Sequence, residues 1–300
     1  MPFVPRCVVL LARDTMPSMN DVLLGYSKGL FSNWLWHRTL HLVVDAGEGL
    51  QLGLASRVLA PTHLAITHGH ADHTLGLPGF VAARRFGIGD PDKPLTIVYP
   101  EHSRGVDVMR GTLERQWPRE QFPLTWVPAK AGFEIELGKN KVLRAFSADH
   151  GSADVALGYL VLERRRRLKA EFQGAAEADI RRLVTERGRD ALTEDYQQVL
   201  FAHTGDSMPI DPSIVHHADL LVHDATFLIE EDRRERIHAT TAEAIIVGRQ
   251  AGVRTLVLQH LSVRYERDDA IPVLKRQVAE LGFTGACWLL DGGNLTRLSV

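Results

Sequence analysis

Between Thr67 and Phe80 the chain reads T-H-G-H-A-D-H-T-L-G-L-P-G-F, which puts His68, His70, Asp72 and His73 inside six residues. With only 14 histidines in 300 residues, this is a local concentration. Imidazoles and a carboxylate packed so tightly crowd their lone pairs unless a cation sits among them. Three more metal-capable side chains close apolar runs downstream: His150 after VLRAFSAD, Asp206 after VLFAHTG and His260 after TLVLQ. Singly, His150 and His260 read as solvated or core histidines, and Asp206 as a turn former or helix cap. With the cluster they make five imidazoles and two carboxylates. One zinc takes about four ligands, so this set points to two metal ions with a bridging carboxylate and a water completing both. Two divalent ions ~3.5–4 Å apart activate water near neutral pH and neutralise a phosphate oxygen, so no Ser or Cys nucleophile is required.

The elements between these residues must carry distant segments to one edge of a rigid scaffold, because loops at strand ends are where sites are built. Short apolar runs read as strands at 7–12, 21–26, 40–47, 62–68, 95–100, 133–137, 142–148, 156–163, 199–206, 219–227, 255–260 and 286–292. Helices are expected at 77–86, with Pro78 in its first turn, at 241–251 and at 271–281. Interspersed strands and helices without a Pro/Gly-rich linker predict a single α/β domain over 1–300. The segment 163–198, beginning E-R-R-R-R-L-K-A-E-F, is highly charged and interrupts two strong strands. It reads as a projecting arm or insertion holding an amphipathic helix with Ile180, Leu183 and Val184 on one face.

Composition narrows the class. A 45% apolar and 24% charged chain is a soluble globular protein with a substantial core. The net charge of −2 supplies no global basic field, so any nucleic-acid contact must be local. Two cysteines, Cys7 and Cys287, are no disulfide framework and suit a reducing cytosol. The start, MPFVPRCVVLLARD, is too short an apolar run for a signal peptide or membrane span. A cytoplasmic location and no membrane partner are expected.

H-x-H-x-D-H resembles the signature of the metallo-β-lactamase superfamily, and the downstream motifs resemble its ribonuclease Z (tRNase Z) branch. HTGDSMP (203–209), LVHDATF (221–227), IHATTAEAIIVGRQAG (237–252), LVLQHLSVRY (256–265) and the turn DAGEGLQ (45–51) carry the likeness, from about residue 40 to the end. The arm looks more like that of the short plant-type enzymes than a long Gly/Pro-rich one. The resemblance implies a four-layer αββα sandwich and a homodimer. It implies one metal on His68, His70 and His150, a second on Asp72, His73 and His260, and Asp206 bridging. Asp72 thus serves both as ligand and in catalysis. His238 would be the general acid that meets the leaving oxygen, oriented by Asp224 where the family usually has Glu. Zinc suits the histidine-rich set, with Mn or Fe as alternatives.

The implied reaction is endonucleolytic removal of the 3′ trailer from precursor tRNA, leaving a 3′ hydroxyl. Arg164 to Arg167, Lys169, Arg181 and Arg182 would offer phosphates a basic arm, although Glu163, Glu171, Glu177 and Asp179 interleave with them. The chain lacks the family's Pro-x-Lys-x-Arg-Asn-like stretch and carries GLFSNWLWHRT (29–39) instead. Trp34 and Trp36 there read as packed rings on a strand, with a stacking platform or dimer contact as the alternative. A phosphodiesterase for small or cyclic nucleotide diesters is the competing enzyme, and a non-catalytic metal- or RNA-binding relative the third reading. His63, His203 and His223 read as satisfied structural groups.

Overall fold

The computed structural model describes residues 18–299 apart from 88, 91, 118–121 and 152–154, so the strand expected at 7–12 lies outside the described residues. Strands β1 (Leu23–Lys28), β2 (Ser32–His37), β3 (Leu42–Val44), β4 (His63–Ala65), β5 (Leu95–Pro100) and β6 (Leu124–Ala129) form one sheet in that order. Strands β7 (Glu134–Gly138), β8 (Lys141–Ser147), β9 (Leu157–Leu168), β10 (Thr193–His203), β11 (Leu220–Asp224), β12 (Thr255–Gln259), β13 (Ala286–Asp291) and β14 (Asn294–Arg297) form the other in sequence order. The helices are α1 (Met19–Val22), α2 (Leu50–Leu54), α3 (Ala71–Thr74), α4 (Leu77–Phe86), α5 (Arg104–Gln116), α6 (Glu177–Arg187), α7 (Arg189–Leu192), α8 (Thr241–Ala251) and α9 (Arg267–Glu280).

Period-two alternation sorts the strand side chains between two apolar layers. Leu42 and Val44 of β3 meet Val222 of β11 and Val257 of β12 between the sheets. Val43 turns the other way, into a layer with Leu50 and Leu54 of α2, Phe80 of α4 and Val106 of α5. Leu221, Leu256 and Leu258 face outward from the second sheet onto Ala244 and Ile245 of α8 and Leu274 and Val278 of α9. The order helix, sheet, sheet, helix follows, which is the four-layer αββα sandwich the motifs imply. Because both faces of the central strands are covered, they read as continuous apolar runs.

Several bounds differ from the sequence reading. The strand expected at 21–26 begins at Leu23, since Met19–Val22 form a helical turn capped by Ser18 and Asp21. Helix α9 begins four residues before the expected Ile271 and holds Pro272 inside it. Trp34 and Trp36 are buried against α2, where the ring of Trp34 fills the space beside Gly53. They therefore pack as core rings. The arginine run of the arm is strand: β9 and β10 stay paired from Glu163↔Gln198 out to Leu168↔Thr193, beyond which α6 and α7 sit. Cross-strand geometry then sets opposite charges side by side. Arg166 meets Asp195 at 2.7 Å and Arg167 meets Glu194 at 2.8 Å. No helix among the described residues is long and apolar enough to cross a membrane.

Candidate metal centre

The site forms where strands from both sheets end. β4 delivers Thr67 and His68; the turn into α3 delivers His70, Asp72 and His73; β8 leads to His150, β10 to Asp206 and β12 to His260. Potential ligand atoms of His68, His70 and His150 lie within 4.8 Å of one another, as do those of Asp72, His73 and His260. Asp206 stands between these groups. Its Oδ2 is 3.8 Å from His68 Nε2, 3.3 Å from His73 Nε2 and 3.1 Å from His260 Nε2. All seven residues singled out by spacing are thus brought together.

The outward hydrogen bonds fix which ring nitrogen each imidazole turns inward. His73 Nδ1 donates to Asp45 Oδ2 at 2.8 Å and His150 Nδ1 to the Ile237 carbonyl at 2.9 Å; both partners only accept. Thr67 spends its hydroxyl proton on Asp45 Oδ2, so it accepts from His68 Nδ1 at 3.0 Å. Thr226 donates to Asp224 Oδ1 and accepts from His260 Nδ1 at 2.9 Å in the same way. Four imidazoles therefore aim Nε2 at one centre. Nε2 of His68 and of His260 and Oδ1 of Asp206 are buried there without a hydrogen-bond partner. Buried acceptors left unpaired are costly, and cations satisfy them. The residues present fit divalent metal ions, with the outer oxygen partners orienting the ligands.

The charges agree with that fit. Burial would raise the Asp206 carboxyl, but His260 and His73 hold it well below the usual carboxylate range. Burial, then the neighbouring His73, pushes His68 well below the ordinary imidazole value. Burial opposes the charge on His73, yet Asp206 and Asp45 hold it well above that value, so positive charge is favoured at this spot.

His238 lies beside the ligands, its ring stacked on His260 at 4.9 Å between centroids. Its Nδ1 donates to Asp224 Oδ2 at 2.7 Å, a contact the shorter Asp side chain reaches without difficulty. Burial would lower His238, but the Asp224 carboxylate outweighs it and raises the imidazole to about 9. Asp224 is itself fully buried and held by the amides of Ser207 and Thr226. His238 does not cap the following helix: Thr240 does, in a capping box with Glu243. Arg233, buried and paired with Glu243, donates to the His238 carbonyl at 3.1 Å and so anchors its backbone.

Spacing did not single out Asp45, Asn33 or Arg233. Asp45 ties His73 to Thr67 and holds a left-handed backbone at φ 59°, as His260 does at φ 66°. Only its place in the D-A-G-E-G turn hinted at it. Asn33, whose Nδ2 donates to Asp72 Oδ2 at 3.0 Å, carries no sequence signal. Among the other histidines, His203 accepts from the Gly205 amide, and His223 donates Nδ1 to the Asp224 carbonyl at 2.7 Å while its Nε2 has no partner.

A model of the metallo-β-lactamase superfamily matches residues 31–162. Ribonuclease Z from Metallosphaera sedula is 30% identical over 277 residues, covering 85% of this chain and 90% of that protein. The metallo-β-lactamase fold protein YhfI from Bacillus subtilis superposes with a TM-score of 0.63 at 14% identity, covering 92% and 98% of the two chains. Human tRNase Z, short form, does so with a TM-score of 0.61 at 17% identity over 93% and 99%.

Proposed function

Because the chain belongs to the ribonuclease Z family of the metallo-β-lactamase superfamily, we propose that it is a two-metal endoribonuclease that removes the 3′ trailer of precursor tRNA. The observation that carries this reading is the ring of inward Nε2 atoms around Asp206, with the His238–Asp224 pair at its edge. His68, His70 and His150 would hold one ion and Asp72, His73 and His260 the other, with Asp206 available to both. When bound, the metals lower the pKa of a water and offset phosphate charge. The chain's own groups do the rest. Asp72 keeps its carboxylate at the reacting centre, held by Asn33. Asp224 fixes His238 through Nδ1, leaving Nε2 to hand a proton to the departing 3′ oxygen. Zinc fits the imidazole-rich set, with manganese or iron as alternatives. A cytoplasmic location and, from the ribonuclease Z resemblance, a homodimer belong to the same proposal.

One observation favours the second reading, a phosphodiesterase for small diesters. Arg164, Arg165, Arg166, Arg167, Arg181 and Arg182 in the arm each meet an acidic partner, so their charge is compensated within the protein. Zinc- or manganese-loaded protein incubated with a trailer-bearing precursor tRNA and, separately, with a chromogenic phosphodiester separates the two. Cleavage at the trailer junction supports the first reading. Turnover of the small diester alone moves the assignment to the second.

A further inference from the structure

Beside the metal ligands lies a cleft of about 180 Å³ lined by Gly29, Leu30, Thr226, Phe227, His238, His260, Ser262 and Arg264. One wall is the β1–β2 hairpin tip, whose backbone lies directly on the site. Gly29 donates to the Leu261 carbonyl at 3.2 Å, and a Cβ there would stand 3.3 Å from the His260 carbonyl oxygen. That position holds the next residue, Leu30, at 80% exposure in a left-handed turn at φ 69°. The other wall is Phe227, half-buried, with the guanidinium of Arg264 5.4 Å from its ring centre. Arg264 lines the cleft together with His238 and is kept in place by donating to the Asp232 carbonyl at 3.0 Å.

Two walls built this way suit a flat, uncharged ring better than a phosphate. An exposed Leu costs apolar hydration unless something covers it, and an aromatic face backed by a guanidinium is a stacking partner for any base. At about 180 Å³ the cleft lies below the ~300–1,000 Å³ of pockets that enclose drug-sized ligands, so it has room for one base. Little in it reads base identity. The Thr226 hydroxyl is already shared between Asp224 and His260, which leaves Ser262 to meet a base edge.

We propose that this cleft, closed by Leu30 on one side and the Phe227–Arg264 pair on the other, stacks the base of the nucleotide whose 3′ oxygen departs. The assignment rests on the endoribonuclease reading, because His238, which borders the cleft, meets that oxygen. It makes Leu30 and Phe227 determinants of substrate choice that tolerate any base.

The test is the cleavage of precursor RNA by metal-loaded protein, with three substrates: intact, abasic at the nucleotide 5′ of the cut, and abasic at the nucleotide 3′ of it. Stacking of this kind predicts that the 5′ abasic substrate loses about tenfold to a hundredfold in kcat/KM and the 3′ one much less. Leu30→Ser, at an exposed turn where folding is undisturbed, narrows the ratio of intact to 5′ abasic rates, and Phe227→Leu does the same. The inference is overturned if RNA is cleaved but that ratio stays near one, or if neither variant changes it. RNA left uncut by the loaded protein overturns the endoribonuclease reading itself, and this assignment with it.

Discussion

Replacing Asp45 by Asn exchanges one oxygen for an NH₂ and removes one charge, yet it should loosen a metal ion that Asp45 never touches. The carboxylate is 1% exposed and accepts three hydrogen bonds: the Thr67 amide at 2.7 Å, the Thr67 hydroxyl at 2.9 Å and His73 Nδ1 at 2.8 Å. Asn offers one accepting oxygen. If that oxygen keeps the Thr67 amide, its NH₂ confronts His73 Nδ1–H, donor against donor. His73 must then move its proton to Nε2, the nitrogen that faces Asp206 at 3.3 Å. If the amide flips, the buried Thr67 N–H is left facing a donor instead. Either arrangement forfeits a charge-assisted hydrogen bond of about 1.5–3 kcal/mol. Outer partners of metal-bound histidines typically change affinity by about 10–100-fold, or ~1.4–2.7 kcal/mol. The assay is dialysis against graded chelator followed by elemental analysis of retained metal. Asp45→Asn should release metal at a chelator level about 10–100-fold lower, because Asp45 Oδ2 orients His73 directly and His68 through the Thr67 hydroxyl. Retention of both ions at the wild-type midpoint would refute the argument that Asp45 sets the His73 tautomer.

Other expectations follow from the same geometry. His238→Ala should lower RNA cleavage by about 10²–10⁴-fold with metal content intact, and should cost less on a nitrophenyl diester, whose leaving group needs no proton; equal losses on both substrates would remove the general-acid role. Gly105→Ala places a methyl 1.9 Å from the Gly69 carbonyl oxygen in the H-G-H turn, so thermal stability should drop by about 1–3 kcal/mol and metal binding with it; an unchanged melting temperature would contradict this packing. His37 is buried against Phe201, and burial lowers it from 6.5 to about 4. Between those values the unfolded chain binds a proton the folded chain refuses, so stability is full above about pH 6.5 and falls toward pH 4, by roughly 3 kcal/mol from this group. His37→Leu should flatten the difference in melting temperature across that window, and an unaltered slope would show that His37 does not titrate as described.

The chemistry was more legible in the amino-acid sequence than its support. His68, His70, Asp72 and His73 announce themselves because ligands on one turn must be close in sequence. His150, Asp206 and His260 were readable because each ends an apolar run that a sheet can carry to a common edge. The alternation that sorts Leu42 and Val44 from Val43 likewise made the strands visible. Supporting residues obey no such constraint. Asn33 reaches Asp72 from across 39 residues, and Arg233 anchors His238 through a backbone carbonyl; neither contact leaves a pattern. The extent of strand in the arm stayed hidden for a related reason. Arg164 to Arg167 read as part of a charged arm or insertion, and the pairing of β9 with β10 sets Asp195 and Glu194 beside Arg166 and Arg167. Strand length beyond Glu163 is decided by those cross-strand pairs, which period-two apolar counting does not register.

The central claim is that the residues around Asp206 and the His238–Asp224 pair cut RNA at the trailer junction. Metal-loaded protein should convert a trailer-bearing precursor tRNA into a mature-length product with a 3′ hydroxyl and a 5′-phosphorylated trailer, and His68→Ala should abolish the conversion. Intact precursor beside active turnover of a small diester, or cleavage that survives in His68→Ala, would contradict it.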